Sequence, residues 1–574
     1  MFNPLDIASG GRGGYPMDAS DRPGAARRPL AAIAALALVT RVFWILQPRL
    51  VWGDEPFYLW LGQSLVTGGG YQFFGISGVH FSPLFPLLAG AVAQAISGLA
   101  PAGGSTALMA ASGVLYVVFG TLLVFPIHGI ARRLSGRGAG LTAAAITAVY
   151  PALTAGIPLW GTLTEPLYLL LVAAAWWAWL VALETYRLRM YALGGLLVGL
   201  AYLTRSEALV YLVAGAGILG LLQAVFPPGA GQGRRQRALV GIALGALVFL
   251  LVISPYLIVL HGLTGKWQLA EEAGSTYVSA RGLAYGDVAA FDRATWGLDP
   301  ASGEVYLFSP TSEGQGLLDA IRANPKAFAR QLRANWEDLI ATVFSGKLIP
   351  WPLTGLMALG LFARRWDRPR LRGELLLASS LAGPLSFLPF FIQDRYVVGA
   401  LLPALVWMGA GAAWLGTWLV DSLAAPAPQQ TEGPRRRWPG VVPAAAVVVA
   451  LLLASPSLRA ALHQTNSFQP GHLAAARALR DFGAAAEDVV MTRYPAIAFH
   501  AGTRWAPTPA APWAQVVAYA QSKNARFLAV DGWETKLRPQ LAFLLQPDSA
   551  PPPLRHIATL DGGAGPVVLY ELMP

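Results

Sequence analysis

Long apolar stretches alternate with short polar ones along most of this chain. Runs of roughly 16 to 25 apolar residues recur from Leu30 to Leu453, and a run of that length lets one helix cross the hydrocarbon core of a bilayer. There are too many such runs for a single anchor. The pattern therefore predicts an α-helical, multi-pass membrane protein whose first span, Leu30–Gln47, is not cleaved.

Arginine clusters between the apolar runs predict the threading, because such clusters favour cytoplasmic loops. The clusters are Arg27/Arg28, Arg132/Arg133/Arg137, Arg187/Arg189, Arg234/Arg235/Arg237, Arg364/Arg365/Arg368 and Arg435/Arg436/Arg437. All of them fall inside when the chain is threaded with about eleven spans. Beyond Leu30–Gln47, the spans are expected at 106–130, 138–158, 166–183, 190–204, 207–226, 238–260, 347–363, 375–392, 396–420 and 439–456.

Two outer loops, 48–105 and 261–346, are each expected to carry a helix at the membrane surface. Pro83–Leu99 must lie at the surface or dip in part way, since another full span would carry the Arg132 cluster outside. In the second loop, PKAFARQLRANWEDLI predicts an amphipathic interfacial helix. Its apolar face is formed by Phe328, Leu332, Trp336, Leu339 and Ile340.

The chain thus divides into three predicted regions. Residues 1–28 are expected to be a disordered cytoplasmic tail, 29–460 a transmembrane domain, and 461–574 a small α/β domain on the outer side. In the last region, DVVMTR, RFLAVD and PVVLYEL predict strands, whereas AAARALRDF and WAQVVAYAQSK predict helices. It has no Gly-rich phosphate loop and no carboxylate pair, so a cap or acceptor-docking module is favoured over a second active site.

Composition agrees with this picture and excludes several classes. Only 13% of residues are charged, against about 25% in soluble domains. The net charge of +11 comes from short arginine clusters between apolar runs, which argues against a nucleic-acid-binding patch. Cysteine is absent, so disulfides and thiolate metal sites are excluded.

Two neighbouring carboxylates, Asp54 and Glu55, stand out in the stretch VWGDEPFYLW after the first span. Gly53 before them and Pro56 after them predict a helix that begins there. Acids are favoured at a helix start without any function, so helix capping is an open alternative.

Other ionisable residues fall on the same, outer side of the predicted threading. They are Glu165 in TEPLYLLL, Arg205 and Glu207 in LTRSEAL, Asp394 and Arg395 in QDRYVVGALLPAL, His80 in GVHFSPLF, and His261 and Lys266 in LHGLTGKW. A charge in hydrocarbon costs at least about 2.5 to 3.5 kcal/mol, so such residues favour a shared polar cavity. Snorkelling to headgroups is the alternative for each arginine and the favoured role of Arg41, while a structural hydrogen bond is favoured for His80 and His261.

Carboxylates and arginines together suit a lipid-phosphate sugar as substrate. Arginine binds phosphate oxygens through paired hydrogen bonds, and a carboxylate can deprotonate an acceptor hydroxyl as it attacks the anomeric carbon. One general base suffices, because a lipid phosphate leaves unprotonated, and inversion is expected. We therefore expect Asp54 to be the base, with Glu55 orienting the acceptor or acting as base itself. Arg205, Arg395 and, as a weaker candidate, Lys266 are assigned to the donor phosphate.

The motif set resembles the membrane glycosyltransferases of the GT-C fold, in particular the polyprenyl-phosphate-sugar-dependent protein mannosyltransferase and aminoarabinose transferase families. GDEPFYLWLGQSL is similar to their acidic motif and maps the catalytic carboxylate to Asp54. HFSPLFPLL, TEPLYLLL, LTRSEAL and DRYVVGALLPAL resemble their later motifs, so Tyr396 joins the donor phosphate residues and Glu165, His80 and Glu207 the acceptor or supporting residues. The resemblance covers roughly residues 30 to 420.

The resemblance implies a polyprenyl-phosphate-linked sugar donor and a lipid, glycan or protein acceptor, while the charge pattern indicates no nucleic-acid partner. It also implies a bacterial inner membrane with the active site and C-terminal domain on the periplasmic side, although an endoplasmic reticulum membrane would fit the same pattern. His80-Phe81-Ser82-Pro83 and Pro56 depart from the lipid A branch and argue against lipid A as acceptor. No cofactor is assigned, and a divalent metal between Asp54 and the phosphate is left open.

Two rivals remain at this stage. An oligosaccharide transferase or ligase would use a lipid pyrophosphate donor and call for a metal or more cations. A lipid transporter or flippase would show internal repeats and charges near the bilayer midplane. The sequence shows no repeated motif, and its conspicuous charges lie at span ends.

Overall fold

The computed structural model describes most of the chain. The described residues are 27–47, 49–51, 53–99, 104–157, 161–226, 232–269, 276–277, 287–299, 302–305, 318, 321–322, 324–423, 469–563 and 565–573. The predicted tail at 1–28 lies outside them apart from its last two residues, and so does the predicted span at 439–456. The proposed domain boundaries stay predictions.

Helices make up the first four fifths of the described chain. Those of nine or more residues are α1 Arg27–Ile45, α2 Glu55–Thr67, α3 Leu84–Leu99, α4 Gly104–Leu122, α5 Val124–Ser135, α6 Arg137–Val149, α7 Glu165–Thr185, α8 Leu188–Tyr202, α9 Ala208–Val225, α10 Gln232–Thr264, α11 Val288–Trp296, α12 Pro325–Val343, α13 Trp351–Phe362, α14 Arg368–Ala378 and α15 Leu401–Leu423. Two four-residue helices, Ala382–Leu385 and Asp394–Val397, lie between α14 and α15. A two-stranded hairpin, β1 Gln72–Phe73 and β2 Ile76–Ser77, lies between α2 and α3.

Six helical segments in the described part of the chain are long and apolar enough to cross a membrane: Arg28–Ile45, Gly104–Ser135, Glu165–Thr185, Ala208–Val225, Gly233–Thr264 and Asp394–Val420. The protein is a multi-pass membrane protein. Shorter apolar helices, Leu84–Leu99, Leu188–Tyr202 and Trp351–Phe362, account for three further predicted segments. The predicted span at 375–392 is not one helix, because α14 ends at Ala378 and Pro384 and Pro389 lack the amide hydrogen that a continuous helix needs.

Glycines let pairs of helices approach closely. Gly62 of α2 faces Gly90 of α3, and a methyl group added to either one would clash with the backbone of the other helix. Gly360 of α13 and Gly411 of α15 make a similar contact. Small residues at such crossings are the usual means of packing helices in membranes.

The prediction that Arg41 snorkels to headgroups is wrong. Its side chain is buried, and Nη1 donates to the carbonyl oxygens of Ala37 at 3.1 Å and Ala148 at 3.0 Å. Nη2 donates to the Thr147 carbonyl at 3.3 Å. Because Thr147 and Ala148 end helix α6, whose last carbonyls lack helical partners, Arg41 caps this helix and joins it to α1.

The C-terminal residues form a five-stranded mixed sheet with flanking helices. Its elements are α16 Gln469–Asp481, β3 Val489–Met491, α17 Pro495–Ala501, β4 Arg504–Ala506, α18 Trp513–Ser522, β5 Ala525–Asp531, β6 Leu554–Asp561 and β7 Pro566–Leu572. The strand order is β4-β3-β5-β7-β6; β3 pairs parallel with β4 and β5, while β7 pairs antiparallel with β5 and β6. The three predicted strands and two predicted helices of this region are therefore confirmed.

Candidate active site

Asp54 stands at the start of α2 without capping it. Gly53 has a φ of +58° and Pro56 occupies the first turn, as the sequence indicated for a helix start. The Asp54 side chain nevertheless makes no hydrogen bond to the α2 backbone, and 45% of it is exposed. Instead its Oδ2 accepts a hydrogen bond at 3.1 Å from Nη2 of Arg395. The capping explanation therefore does not account for this carboxylate.

Arg395 and Arg205 converge on one buried carboxylate, Glu165, at the start of α7. Its Oε1 lies 3.1 Å from Nη1 of Arg205 and 3.4 Å from Nε of Arg395. Only 1% of the Glu165 side chain is exposed, so two guanidinium groups share one desolvated anion. The other oxygen, Oε2, is buried and makes no hydrogen bond to any residue in the described ranges.

Aromatic rings and a further acid hold the two arginines in place. Arg205 Nε donates to Oε1 of Glu207, and its guanidinium lies over Tyr168 at 5.6 Å and Tyr396 at 5.4 Å from the ring centroids. The Arg395 guanidinium lies 5.2 Å from the same Tyr396 ring. An aromatic ring face attracts a guanidinium group without occupying the N–H donors of that group. Both arginines therefore keep donors available.

The position of Arg395 depends on the helix α12. Gln331 Nε2 donates to the carbonyl oxygens of Pro389 and Phe390, at 3.0 and 2.9 Å. Asn335 Nδ2 donates to those of Leu388 and Phe390, at 2.8 and 2.7 Å. These amides hold the non-helical segment that leads into Arg395. The sequence did not predict these roles of Gln331 and Asn335, because α12 was expected to contact its surroundings through its apolar face.

Glu55 has a different environment from its neighbour Asp54. Its side chain is fully buried, and its carboxylate accepts from Arg49 Nη1 at 3.0 and 3.1 Å. The Ser112 hydroxyl at 3.1 Å and the Thr162 hydroxyl at 2.5 Å donate to the same carboxylate. The chain thus points one carboxylate into an ion pair inside the protein and leaves the other partly accessible.

The structure brings together Asp54, Glu165, Arg205, Glu207, Arg395 and Tyr396 from the predicted set. His80 is half-buried in the segment between β2 and α3. Lys266 is exposed just beyond α10, and within the described chain its side chain forms no ion pair. No group of three or more His, Asp or Glu side chains that could hold a metal ion is found among the described residues.

Comparison with known proteins bears on this arrangement. A family model described as dolichyl-phosphate-mannose-protein mannosyltransferase matches residues 92–259, a stretch that contains Glu165 and Arg205. No curated protein sequence matches the chain. Among solved structures, apo ArnT from Cupriavidus metallidurans is similar with a TM-score of 0.56 and 13% identity, covering 96% of this chain and 100% of its own.

A second solved structure extends the likeness. The archaeal oligosaccharyltransferase AglB from Archaeoglobus fulgidus is similar with a TM-score of 0.53 and 14% identity, over 90% of this chain and 70% of that one. The chain has the GT-C fold. The resemblance inferred from the motifs is thereby confirmed, and the fold places the α2 acid and the two arginines in one cluster, although Asp54 and Arg395 are 341 positions apart.

Proposed function

We propose that this protein is a glycosyltransferase that moves a sugar from a polyprenyl-phosphate donor to an acceptor hydroxyl, with Asp54 as general base. The observation that carries the proposal is the ion-pair chain from Asp54 through Arg395 to Glu165 and Arg205. The family match and the GT-C fold support the general class. An ArnT structure of TM-score 0.54 is described as bound to undecaprenyl phosphate, and the AglB structure as holding a dolichol-phosphate.

The arginine pair supplies the phosphate site in this proposal. Two guanidinium groups lie side by side at the site, and an anionic lipid phosphate would compete with the carboxylates of Asp54, Glu165 and Glu207 for their hydrogen bonds. Arg395 is 16% exposed and lies next to the partly exposed Asp54, so a lipid phosphate can reach Arg395 beside Asp54. Planar guanidinium groups bind phosphate oxygens in pairs, with shorter and stronger hydrogen bonds than neutral donors form.

The proposed reaction needs only one general base. The acceptor O–H gives its proton to a carboxylate oxygen of Asp54, and the acceptor oxygen forms a bond to the anomeric carbon. The bond between that carbon and the phosphate oxygen breaks, and the lipid phosphate leaves with the electron pair, stabilised by Arg395 and Arg205. A single displacement of this kind inverts the anomeric configuration.

The remaining site residues take supporting roles. Glu165 and Glu207 hold the arginines, and Tyr396 supports both guanidinium groups. Glu55 fixes the start of α2 through Arg49 and is not the base in this proposal, because it is fully buried. Acceptor binding by His80 and phosphate binding by Lys266 stay predictions.

The location of the chemistry is also part of the proposal. The arginine clusters support a site and a C-terminal region on the side of the membrane away from the cytoplasm, and the resemblance supports a bacterial inner membrane, where that side is the periplasm. The alternative enzyme class is an oligosaccharide transferase, and the structural similarity to AglB supports this alternative. A flippase would need no general base, so it offers no reason for a carboxylate at Asp54.

The test uses purified protein in lipid nanodiscs, a panel of polyprenyl-phosphate sugars and a membrane extract as acceptor. Consumption of one monosaccharide donor, with an inverted linkage in the product, supports the proposal. A parallel reaction contains a chelator. Activity only on pyrophosphate-linked oligosaccharides and its loss with the chelator would favour the oligosaccharide transferase instead.

A further inference from the structure

The C-terminal region contacts the segment that leads into Asp54. His500, in the last turn of α17, accepts a hydrogen bond at Nε2 from the backbone N–H of Val51, with an N to N distance of 3.1 Å. Val51 is buried and lies three residues before Asp54. A buried backbone N–H without a partner is costly, so this bond satisfies the one donor that Val51 offers.

An aromatic cluster surrounds this contact and fixes α2 itself. Phe57 of α2 lies 5.0 Å from Trp505 of β4, and Trp60 of α2 lies 5.7 Å from Phe499 of α17, between ring centroids. Trp296 of α11 bridges Phe57 at 6.2 Å and Trp505 at 5.8 Å. The apolar face of α2 is therefore buried against the C-terminal sheet, and the helix cannot rotate freely.

The turn before α2 has fewer constraints. Gly53 adopts a φ of +58° there, a left-handed conformation that glycine takes without strain just ahead of Asp54. Arg49 is held by its ion pair with Glu55, and Val51 by His500. These two bonds and the Arg395 contact hold the Asp54 carboxylate, together with the backbone hydrogen bonds that Phe57 and Tyr58 donate to the Asp54 carbonyl at 3.0 and 3.3 Å.

We propose that His500 is a positioning residue, whose imidazole holds Val51 and thereby the turn that presents Asp54 to Arg395. On this account the C-terminal region supports the active site directly. The consequence for catalysis rests on the proposed function, whereas the hydrogen bond to Val51 does not.

The protonation state of His500 fits an acceptor. Burial, with further contributions from Arg49, Arg480 and His472, lowers the pKa of His500 to about 4, against an opposing effect of Glu55. Arg480 also donates to the backbone carbonyl of His500. Above that pKa the ring is neutral and Nε2 can accept; below it, a protonated nitrogen would face the Val51 N–H.

Hydrogen exchange of the peptide that contains Val51 tests the contact in the full-length protein in nanodiscs. His500→Phe keeps a planar ring and removes the acceptor, so exchange should rise by about fivefold. His500→Gln can place a carbonyl oxygen near the same point and should restore protection. His556→Phe, at an exposed histidine of β6, is the matched control.

Two exchange results would overturn the proposal. One is unchanged exchange of the Val51 peptide in His500→Phe. The other is an equal rise in His500→Phe and His500→Gln that extends to the β5 peptides, because it would indicate general loosening. In the wild-type protein, protection of Val51 should disappear as the pH falls through about 4, and it should persist in His500→Gln.

Donor turnover tests the catalytic consequence. We expect kcat of His500→Phe to fall by about tenfold or more, because small misplacements of a reacting group are costly, with an unchanged KM for the donor. His500→Gln should recover kcat. A wild-type kcat in His500→Phe would overturn the positioning role. If the wild-type protein consumes no donor, the proposed function fails alone, and the exchange of Val51 still decides the role of His500.

Discussion

At the scale of single residues, the two neighbouring acids show what sequence can and cannot give. The motif GDEP marked Asp54 and Glu55 together, but residues next to each other on a helix point in directions about 100° apart. Their partners, Arg395 for one and Arg49 for the other, are set by the fold. The sequence could therefore indicate the site and favour Asp54 as the base, but it left a base role for Glu55 open.

Replacement of Glu55 is expected to affect stability first. Glu55→Ala leaves Arg49 buried without its partner, and breaking a buried ion pair typically costs about 3 to 5 kcal/mol. Thermal unfolding in nanodiscs should show a lower midpoint than in Glu337→Ala, whose carboxylate is exposed on α12. Equal midpoints for the two variants would contradict the structural role.

Replacement of Arg395 is expected to weaken the binding of donor lipid. Arg395→Ala removes charge-assisted hydrogen bonds to phosphate, each worth about 1.5 to 3 kcal/mol, so the affinity for polyprenyl phosphate should fall by roughly 10- to 100-fold. Lipid titration with the purified protein measures this. Arg333→Ala, an exposed arginine on α12, should bind like the wild type, and equal affinities for both variants would exclude the proposed phosphate site.

At the scale of elements, length and hydropathy predicted most helices, whereas their packing faces were harder to predict. The expected apolar face of α12 was Phe328, Leu332, Trp336, Leu339 and Ile340. In the structure Trp336 and Ile340 are exposed, as the membrane-facing side of an interfacial helix would be, whereas Gln331 and Asn335 pack inward against backbone carbonyls, which was not expected. A periodic pattern cannot anticipate this, because the carbonyls come from a broken helix about 55 residues away.

The crossing of α2 and α3 gives a prediction at this scale. Gly90→Ala should push α3 away from α2 and destabilise the protein by about 1 to 3 kcal/mol, because its methyl group would meet the Gly62 backbone. Turnover should fall as well, since α2 carries Asp54. Gly217→Ala on α9 has open space around it and should be neutral or slightly stabilising. Similar unfolding midpoints in both variants would contradict this packing.

At the scale of the whole molecule, the arginine pattern and the strand signals predicted a helical membrane region followed by an α/β region. What they could not predict was the tight docking between the two. The partners are aromatic residues and one histidine, and each taken alone has an ordinary apolar context. Such contacts depend on tertiary geometry, and no periodic pattern in either region encodes them.

This docking predicts a pH dependence of stability that a variant can isolate. The pKa of His500 is lowered to about 4, so its contribution is fully present above the unfolded value of 6.5 and is lost as the pH falls towards 4. Burial raises the pKa of Glu534 to about 7, which acts in the opposite direction, so the wild type alone is a poor reporter. His500→Gln keeps Glu534 and should gain stability relative to wild type on going from pH 7.5 to 5, measured by thermal unfolding. If the difference in stability between His500→Gln and the wild type were the same at pH 7.5 and 5, it would contradict the assignment of His500 as a neutral hydrogen-bond acceptor.

The central claim is that Asp54 activates the acceptor, and one comparison tests it most directly. Donor consumption is measured for the wild type, Asp54→Asn and the surface control Glu337→Gln, with binding of polyprenyl phosphate measured for all three. We predict a loss of at least about 100-fold in turnover for Asp54→Asn alone, with lipid binding retained, because general-base catalysis contributes that much. Turnover by Asp54→Asn at the wild-type rate would contradict the account.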